Sequence, residues 1–354
     1  MVPLTYVSSD DHGYHRKGRG KGFEYFDHTG RNVSAKAELQ RIAALRIPPA
    51  WRNVWICQNP DGHLQATGMD ARGRKQYLYH AEWNRRSQLS KFDRMANFAK
   101  ALPEIRKKIE HDLRKPGWPR EKVISLVISI LDQTAIRIGN KMYEQENGTF
   151  GLTTLKRKHM KIDGNTIAFQ FKAKGGIFWN TQIKGRKLSR LVRECSELPG
   201  QEVFQYLDSE GKPQPVYSQD VNGYLQEITG GDFTAKDFRT WGGTVGAIEL
   251  FPEAIAELES SPKRNLTTCL VRKVANKLGN TVAVCKSYYI HPNILSLSEQ
   301  KDARLEDLFK NSSAKYHDLQ PTLTPAEITA LYLIENKGRD LKTLLTASLH
   351  GKRA

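Results

Sequence analysis

Four short stretches of this chain gather arginine, lysine, asparagine and tyrosine in patterns suited to phosphodiester chemistry. They are Arg137-Ile138-Gly139-Asn140; Lys174 within Phe171-Lys172-Ala173-Lys174-Gly175-Gly176; Arg239 within Lys236-Asp237-Phe238-Arg239-Thr240-Trp241-Gly242-Gly243-Thr244; and Leu278-Gly279-Asn280-Thr281, followed by Ser287-Tyr288-Tyr289-Ile290-His291-Pro292. The transition state of phosphodiester transfer carries extra negative charge on its non-bridging oxygens. Planar, permanently charged guanidinium groups can hold that charge while one side chain attacks and an acid protonates the departing oxygen. Two arginines, one acid and one nucleophile suffice. Taken singly, each residue has a plainer role: Arg137 as a charge at a helix end, Lys174 as a solvated turn lysine, Tyr289 as a half-buried core tyrosine.

Other chemistries lack their residues. No Gly-Lys pair is followed by Ser or Thr as in a Walker loop, and no H-E-x-x-H, G-x-S-x-G or C-x-x-C occurs. Asp61 and Asp70 could pair as carboxylates, but no acidic-x-Lys completes a metal-nuclease set, and Pro60-Asp61-Gly62 reads as a turn. Neither a metal nor a cofactor is expected. The cysteines, at positions 57, 195, 269 and 285, are widely spaced and fit a reducing compartment. No apolar run reaches the roughly 18 residues of a membrane span, and the first thirty residues carry charges instead of a signal-peptide core. The expectation is a cytoplasmic protein with no membrane partner.

Charge names the partner class. Fifty-five Lys and Arg against 38 Asp and Glu leave a formal net charge of +17 in 354 residues. Between Gly151 and Arg193 stand eleven basic residues and one acidic residue, Asp163. A field of that sign and concentration favours a polyphosphate partner, and nucleic acid leads.

The elements that must position these residues follow from periodicity. The basic, glycine-rich stretch from Arg16 to Gly22 reads as a mobile, phosphate-contacting tail. Ser34 is expected to cap a short helix burying Leu39, Ile42 and Ala43, stopped by Pro48-Pro49. Val54 to Ile56, Leu64 to Thr67 and Arg74 to His80 read as an antiparallel sheet. From Leu89 the apolar spacing turns helical, through Phe92, Met95, Ala99 and Leu102, and again over 123–131. The domain boundary therefore falls near residues 85 to 90, dividing the chain into 1–88 and 89–354. Residues 160–163, 167–171 and 177–179 predict a three-stranded β-meander. Helices are expected again over 188–195, 221–228, 234–250 (with Thr234 and Asp237 forming a capping box), 266–278 closed by Gly279, and from Thr324-Pro325 onward.

In this order, the motifs K-D-F-R-T-W-G-G-T, L-G-N-T and S-Y-Y-I-H-P give the chain a close resemblance to the type IB DNA topoisomerases, in their compact poxvirus-like and bacterial form. The resemblance spans nearly the whole chain. It implies an α+β fold shaped as a two-lobed clamp on duplex DNA, with a small β-rich N-terminal lobe and a larger, mainly helical catalytic lobe carrying the meander. It implies that Arg137 and Arg239 grip the scissile phosphate, that Lys174 is the general acid and that Tyr289 is the nucleophile. Tyr289, not Tyr288, immediately precedes Ile-His-Pro and stands nine residues after Asn280. Asn280 occupies a position where viral and eukaryotic members carry histidine; it keeps a hydrogen-bond donor and removes a titrating group. Tyr143 matches a position near the phosphate. Lys75, Gln76, Tyr77 and Tyr79 match a DNA-facing segment.

The implied reaction is transesterification: the tyrosine attacks phosphorus to give a 3′-phosphotyrosyl bond, and the freed 5′-hydroxyl strand rotates and then attacks back. One ester replaces another, so neither ATP nor metal is required. The cationic surroundings are expected to favour a phenolate at the tyrosine and to weaken the lysine's hold on its proton. A tyrosine recombinase shares the Arg, Lys, Arg, Tyr order but usually carries His-x-x-Arg where this chain has Lys236-x-x-Arg239. A non-enzymatic architectural DNA binder would explain the charge but not the ordered residues. The resemblance further implies a monomer, associated with the nucleoid.

Overall fold

The computed structural model describes residues 3–20, 22–71, 73–261, 264–299 and 305–336; Lys21 of the basic stretch and the side chain of Leu89 lie outside the described residues. The chain divides into two compact units, Met1–Phe92 and Asp93–Ala354.

The first unit contains strands β1 (Gly13–Arg19) and β2 (Gly22–Phe26), helix α1 (Lys36–Ala44), and strands β3 (Arg52–Cys57), β4 (Leu64–Met69) and β5 (Lys75–Tyr79). They form one antiparallel sheet in the order β2-β1-β3-β4-β5. Alternation sends successive side chains to opposite faces. Val54, Ile56 and Ala66 meet Ile42 of α1 on one face, while Trp55, Cys57 and Leu64 pack with Val7 on the other. Two expectations need correction. The basic stretch is no tail: residues 16–19 are the second half of β1 and pair with β2 (Arg16 opposite Tyr25), while the first half of β1 also pairs with β3 (His15 opposite Trp55). Gly13 permits this approach, because a Cβ there would lie 2.1 Å from the Trp55 indole nitrogen. The cap of α1 is Ala35, not Ser34, and makes no side-chain cap bond; Ile42 is buried, whereas Leu39 and Ala43 are exposed.

Helix α2 (Ala81–Asp112) leads into the second unit, which continues with α3 (Arg120–Thr134), α4 (Lys141–Asn147), β6 (Met160–Asp163), β7 (Thr166–Lys172), β8 (Phe178–Lys184), α5 (Arg186–Ser196), β9 (Gln205–Leu207), β10 (Pro213–Pro215), α6 (Ser218–Thr229), α7 (Ala235–Glu249), α8 (Phe251–Ser260), α9 (Leu266–Leu278), α10 (Val282–Tyr288), α11 (Pro292–Leu297), α12 (Leu305–Lys315) and α13 (Pro325–Glu335). The meander β6-β7-β8 is antiparallel as its alternation predicts. Helix α3 is the core of the unit, buried at every position from Lys122 to Ile128, as expected of a helix apolar all round. Thr234 and Asp237 close the capping box of α7, and Thr324 and Glu327 that of α13. Glu327 also accepts hydrogen bonds from Trp241 of α7 (3.1 Å) and from Arg106 of α2, so one carboxylate joins three helices.

Candidate phosphate-binding active site

Each arginine is delivered by backbone that the sequence constrains locally. After α3 the chain turns through Ala135, a non-glycine residue at φ 51°, and buries Ile136 before presenting Arg137. The segment is then pinned by the turn at Leu152–Thr154: Leu152 N–H donates to the Arg137 carbonyl (2.8 Å) and Thr153 N–H to that of Ile138 (2.7 Å). Gly139 and Gly151 make this crossing possible, since a Cβ on Gly151 would lie 2.4 Å from Gly139 Cα. Arg239 lies on the buried face of α7 and is 4% exposed. One guanidinium nitrogen donates to the carbonyl of Ala135 and another to that of Leu278 (2.9 Å).

Asn280 is aimed by the end of α9. Gly279 takes the left-handed conformation at φ 55°, which glycine adopts without strain, and Asn280 N–H folds back to the Ala275 carbonyl (2.9 Å). Arg137 donates to the Gly279 carbonyl (3.4 Å) and to Asn280 Oδ1. Tyr289 follows directly on α10, whose cap Thr281 accepts from Val284 N–H. Its carbonyl accepts from Thr244 Oγ (3.3 Å), and Thr244 in turn accepts from His291 N–H (3.1 Å). Gly243 allows the approach, because a Cβ there would fall 2.4 Å from the Tyr289 carbonyl oxygen. The Tyr289 ring lies 5.3 Å from Arg239 Cζ. Arg239, Gly243 and Thr244, on one helix, thus meet the tyrosine and its following residues.

Of the two adjacent tyrosines, Tyr289 sits beside this pocket while Tyr288 is 43% exposed. The residues one turn earlier differ in the same way: Cys285, four before Tyr289, is fully buried, while Val284, four before Tyr288, is 40% exposed. Burial also pushes the Cys285 thiol up to about 12, with Arg239 opposing, so it stays neutral near the site.

The electrostatics are cationic and desolvated. Burial lowers the pKa of both arginines; repulsion from Arg137 lowers Arg239 further, and Tyr289 opposes the shift in each. No carboxylate is among the groups that shift either one. Three buried donors around the pocket, Arg239 Nε, Asn280 Nδ2 and Trp179 Nε1, have no hydrogen-bond partner. Among the described residues no cluster of His, Cys, Asp and Glu could hold a metal ion.

Lys174 and Tyr143 form a separate pair. Lys174 is exposed in the turn between β7 and β8, where Gly175 and Gly176 both have positive φ (81° and 78°), and its Nζ lies 5.8 Å from the Tyr143 ring. Asn140 supports Tyr143 by accepting from Met142 N–H at the start of α4 (2.8 Å). Lys174 is not among the hydrogen-bond partners that Arg137 and Arg239 find in Ala135, Leu278, Gly279 and Asn280. In the first unit, β5 exposes Lys75, Tyr77 and Tyr79 on one face; the two rings stack at 6.1 Å, and Lys75 lies 5.8 Å from Tyr77. Gln76 alternates to the other face, where its amide donates to Asp70 (2.8 Å). Sequence reasoning missed Trp179, Gly243 and Thr244. Trp179 carried one signal, an aromatic set opposite Phe171 across the predicted turn; Thr244 stood inside a quoted motif without a role.

A tyrosine beside two desolvated guanidiniums is an arrangement that phosphodiester transfer to a side chain could use. The family profile described as "Eukaryotic DNA topoisomerase I, catalytic core" matches residues 80–315, and "Bacterial DNA topoisomerase IB, N-terminal domain" matches residues 22–70. The chain is 32% identical over 293 residues to DNA topoisomerase 1B of Acanthamoeba polyphaga mimivirus, covering 80% of this chain and 87% of that protein. It is 24% identical over 241 residues to DNA topoisomerase 1B of Vaccinia virus (strain Copenhagen), covering 66% of this chain and 72% of that one. A solved XerH site-specific recombinase bound to palindromic difH substrate, in a post-cleavage complex, matches at TM-score 0.34 and 13% identity over 60% of this chain and 50% of its own, too distant to bear on activity. The chain belongs to the type IB DNA topoisomerases. It is an isomerase whose substrate is duplex DNA.

Proposed function

We propose that Tyr289 is the nucleophile of this topoisomerase, that Arg137, Arg239 and Asn280 hold the scissile phosphate, and that Lys174 is the general acid. The observation that carries the reading is the guanidinium pair: both are shifted by burial with no carboxylate to balance them, and both meet Asn280 or Tyr289 at one place. Phosphate supplies the missing charge. Asn280 has Oδ1 taken by Arg137 and Nδ2 without a partner, which leaves its amide N–H for a non-bridging oxygen.

In the cleavage step the Tyr289 oxygen forms a bond to phosphorus, the bond from phosphorus to the 5′-oxygen breaks, and Lys174 Nζ gives that oxygen a proton. The phenolic proton leaves to solvent. The developing charge on the non-bridging oxygens is met by the two guanidiniums. After the freed strand rotates, the 5′-hydroxyl attacks phosphorus and returns its proton to Lys174, the bond from phosphorus to the Tyr289 oxygen breaks, and the released phenolate takes a proton back from solvent. Lys75, Tyr77 and Tyr79 form a cationic and aromatic face suited to duplex DNA, while Gln76 lies outside that face. The proposed assignment makes 1–88 the DNA-clamping lobe and 89–354 the catalytic lobe. The arginines, Asn280 and Tyr289 all come from one unit of one chain, so the reading is a monomer acting at the nucleoid, with no membrane partner; among the described residues no helix is long and apolar enough to cross a membrane.

Relaxation of supercoiled plasmid in EDTA without nucleotide tests this reading. Multiple-turn relaxation by the unmodified protein, abolished in Arg137→Ala and Arg239→Ala that still bind DNA, is expected. Relaxation that requires magnesium or ATP, or that survives loss of either arginine, contradicts it.

A further inference from the structure

Trp179 lies five residues beyond Lys174, on β8, and is 4% exposed. Across the hairpin it faces Phe171, with the rings stacked 6.5 Å apart at 17°. Its six-membered ring lies directly on Gly279, where an added Cβ would come within 2.4 Å of the indole. Arg239 Cζ lies 5.5 Å from the ring. A single side chain therefore touches Arg239 and the residue whose carbonyl binds Arg137 and whose successor is Asn280, while its own backbone continues the hairpin that carries Lys174.

The indole N–H contributes nothing to this arrangement, since it is buried without a partner. A buried donor left unpaired is unfavourable, and phenylalanine would avoid it. What tryptophan adds over phenylalanine is reach: the second ring rests on Gly279 while the side chain also faces Arg239, whose desolvated guanidinium favours an aromatic neighbour. We propose that Trp179 is a positioning residue that seats the Lys174 hairpin against the Arg137, Arg239 and Asn280 pocket through its ring. It acts on the reaction through Lys174, with Gly279 and Arg239 as the surface its ring rests on, and does not itself contact DNA. The proposal rests on the roles assigned above to Lys174 and the arginines.

The test is single-turnover cleavage of a duplex with oxygen or sulfur at the 5′ leaving position, because a thiolate departs without a proton. A slackened hairpin misplaces the acid, and misplacement of about 1 Å costs on the order of 10²-fold. Trp179→Leu and Trp179→Ala are expected to slow cleavage of the oxygen substrate by about 10²-fold, with a loss several-fold smaller on sulfur. Trp179→Phe, which keeps a ring and discards only an unpartnered N–H and some reach, is expected to lose less than about tenfold. If the alanine variant does not fold, the leucine variant, which keeps apolar volume, carries the test. Equal losses on both substrates, a leucine variant at the unmodified rate, or a phenylalanine variant as slow as leucine would each overturn the proposal. Lys174→Ala separates the two readings. If sulfur fails to rescue it, the acid assignment falls and this inference with it; if sulfur rescues Lys174→Ala but not Trp179→Leu, the Trp179 role alone falls.

Discussion

Two guanidiniums shifted by burial, one repelling the other and neither balanced by a carboxylate, are electrostatically unfavourable until an anion arrives. In the free protein they are held by the carbonyls of Ala135, Leu278 and Gly279 and by Asn280 Oδ1. These partners fix direction without neutralising charge, so the positive pole stays available to the phosphate of the proposed mechanism. The division of labour between charge stabiliser and acid gives a prediction at this scale. Lys174→Ala should slow cleavage by about 10² to 10⁴ with DNA affinity nearly intact, and sulfur at the leaving position should restore most of the rate. Arg137→Ala and Arg239→Ala should slow both substrates, because their charge acts on the non-bridging oxygens. Restoration of either arginine variant by sulfur would reassign it as the proton donor.

Helix α7 is the element on which the site is assembled. Its Arg239 lies beside the Tyr289 ring in the proposed phosphate pocket, its Gly243 and Thr244 meet the Tyr289 backbone, and its Trp241 donates to Glu327 of α13. Gly243→Ala should therefore slow cleavage while leaving DNA binding little changed, since the new methyl would displace the Tyr289 carbonyl from 2.4 Å. Cleavage by this variant at the unmodified rate would show that the tyrosine does not depend on that contact. Glu327 gives a pH prediction. Burial alone would raise its pKa, but the hydrogen bonds and charge of Arg106 hold it below the usual carboxylate value. A depressed folded-state pKa contributes stability that is present above the unfolded value of about 4.3 and is lost as pH falls through the folded one. Glu327→Gln should lose about 3 kcal/mol of stability at neutral pH, and the gap from the unmodified protein should close under acid. Denaturation midpoints that differ equally at pH 7 and pH 3 would contradict the ion pair as the cause. The capping boxes of α7 and α13, the closure of α9 at Gly279 and the meander were legible because each is a local pattern. The β1–β2 hairpin was not, because glycine and basic residues interrupt its alternation and no residue of β2 is fully buried. Trp179 escaped for a different reason: its role depends on Gly279, a residue 100 positions away that only tertiary packing brings beneath the ring.

At the scale of the whole molecule, a net charge of +17 must be read with where it lies. Much of it is carried by the meander and α5, the region that also presents Lys174, so long-range attraction and local chemistry share one stretch of sequence. Binding that neutralises many phosphates releases their counterions, and affinity should fall by about 10³-fold or more between about 50 and 200 mM salt. A flat response would contradict extended phosphate contact. Tyr77→Ala with Tyr79→Ala should weaken duplex binding while leaving the single-turnover rate at saturating protein close to unmodified, because the pair belongs to the first unit and the proposed chemistry to the second. A lost rate at saturation would place these rings in the chemical step.

The central claim is that Tyr289 forms the covalent bond to DNA. Trapping the adduct on a duplex whose cleaved strand cannot rejoin, digesting it and mapping the modified peptide by mass spectrometry tests this most directly, with Tyr289→Phe and Tyr288→Phe alongside. The adduct should map to Tyr289 through a 3′-phosphate; Tyr289→Phe should bind DNA, form no adduct and relax nothing, while Tyr288→Phe stays active. An adduct on Tyr288, or relaxation by purified Tyr289→Phe, would contradict the account.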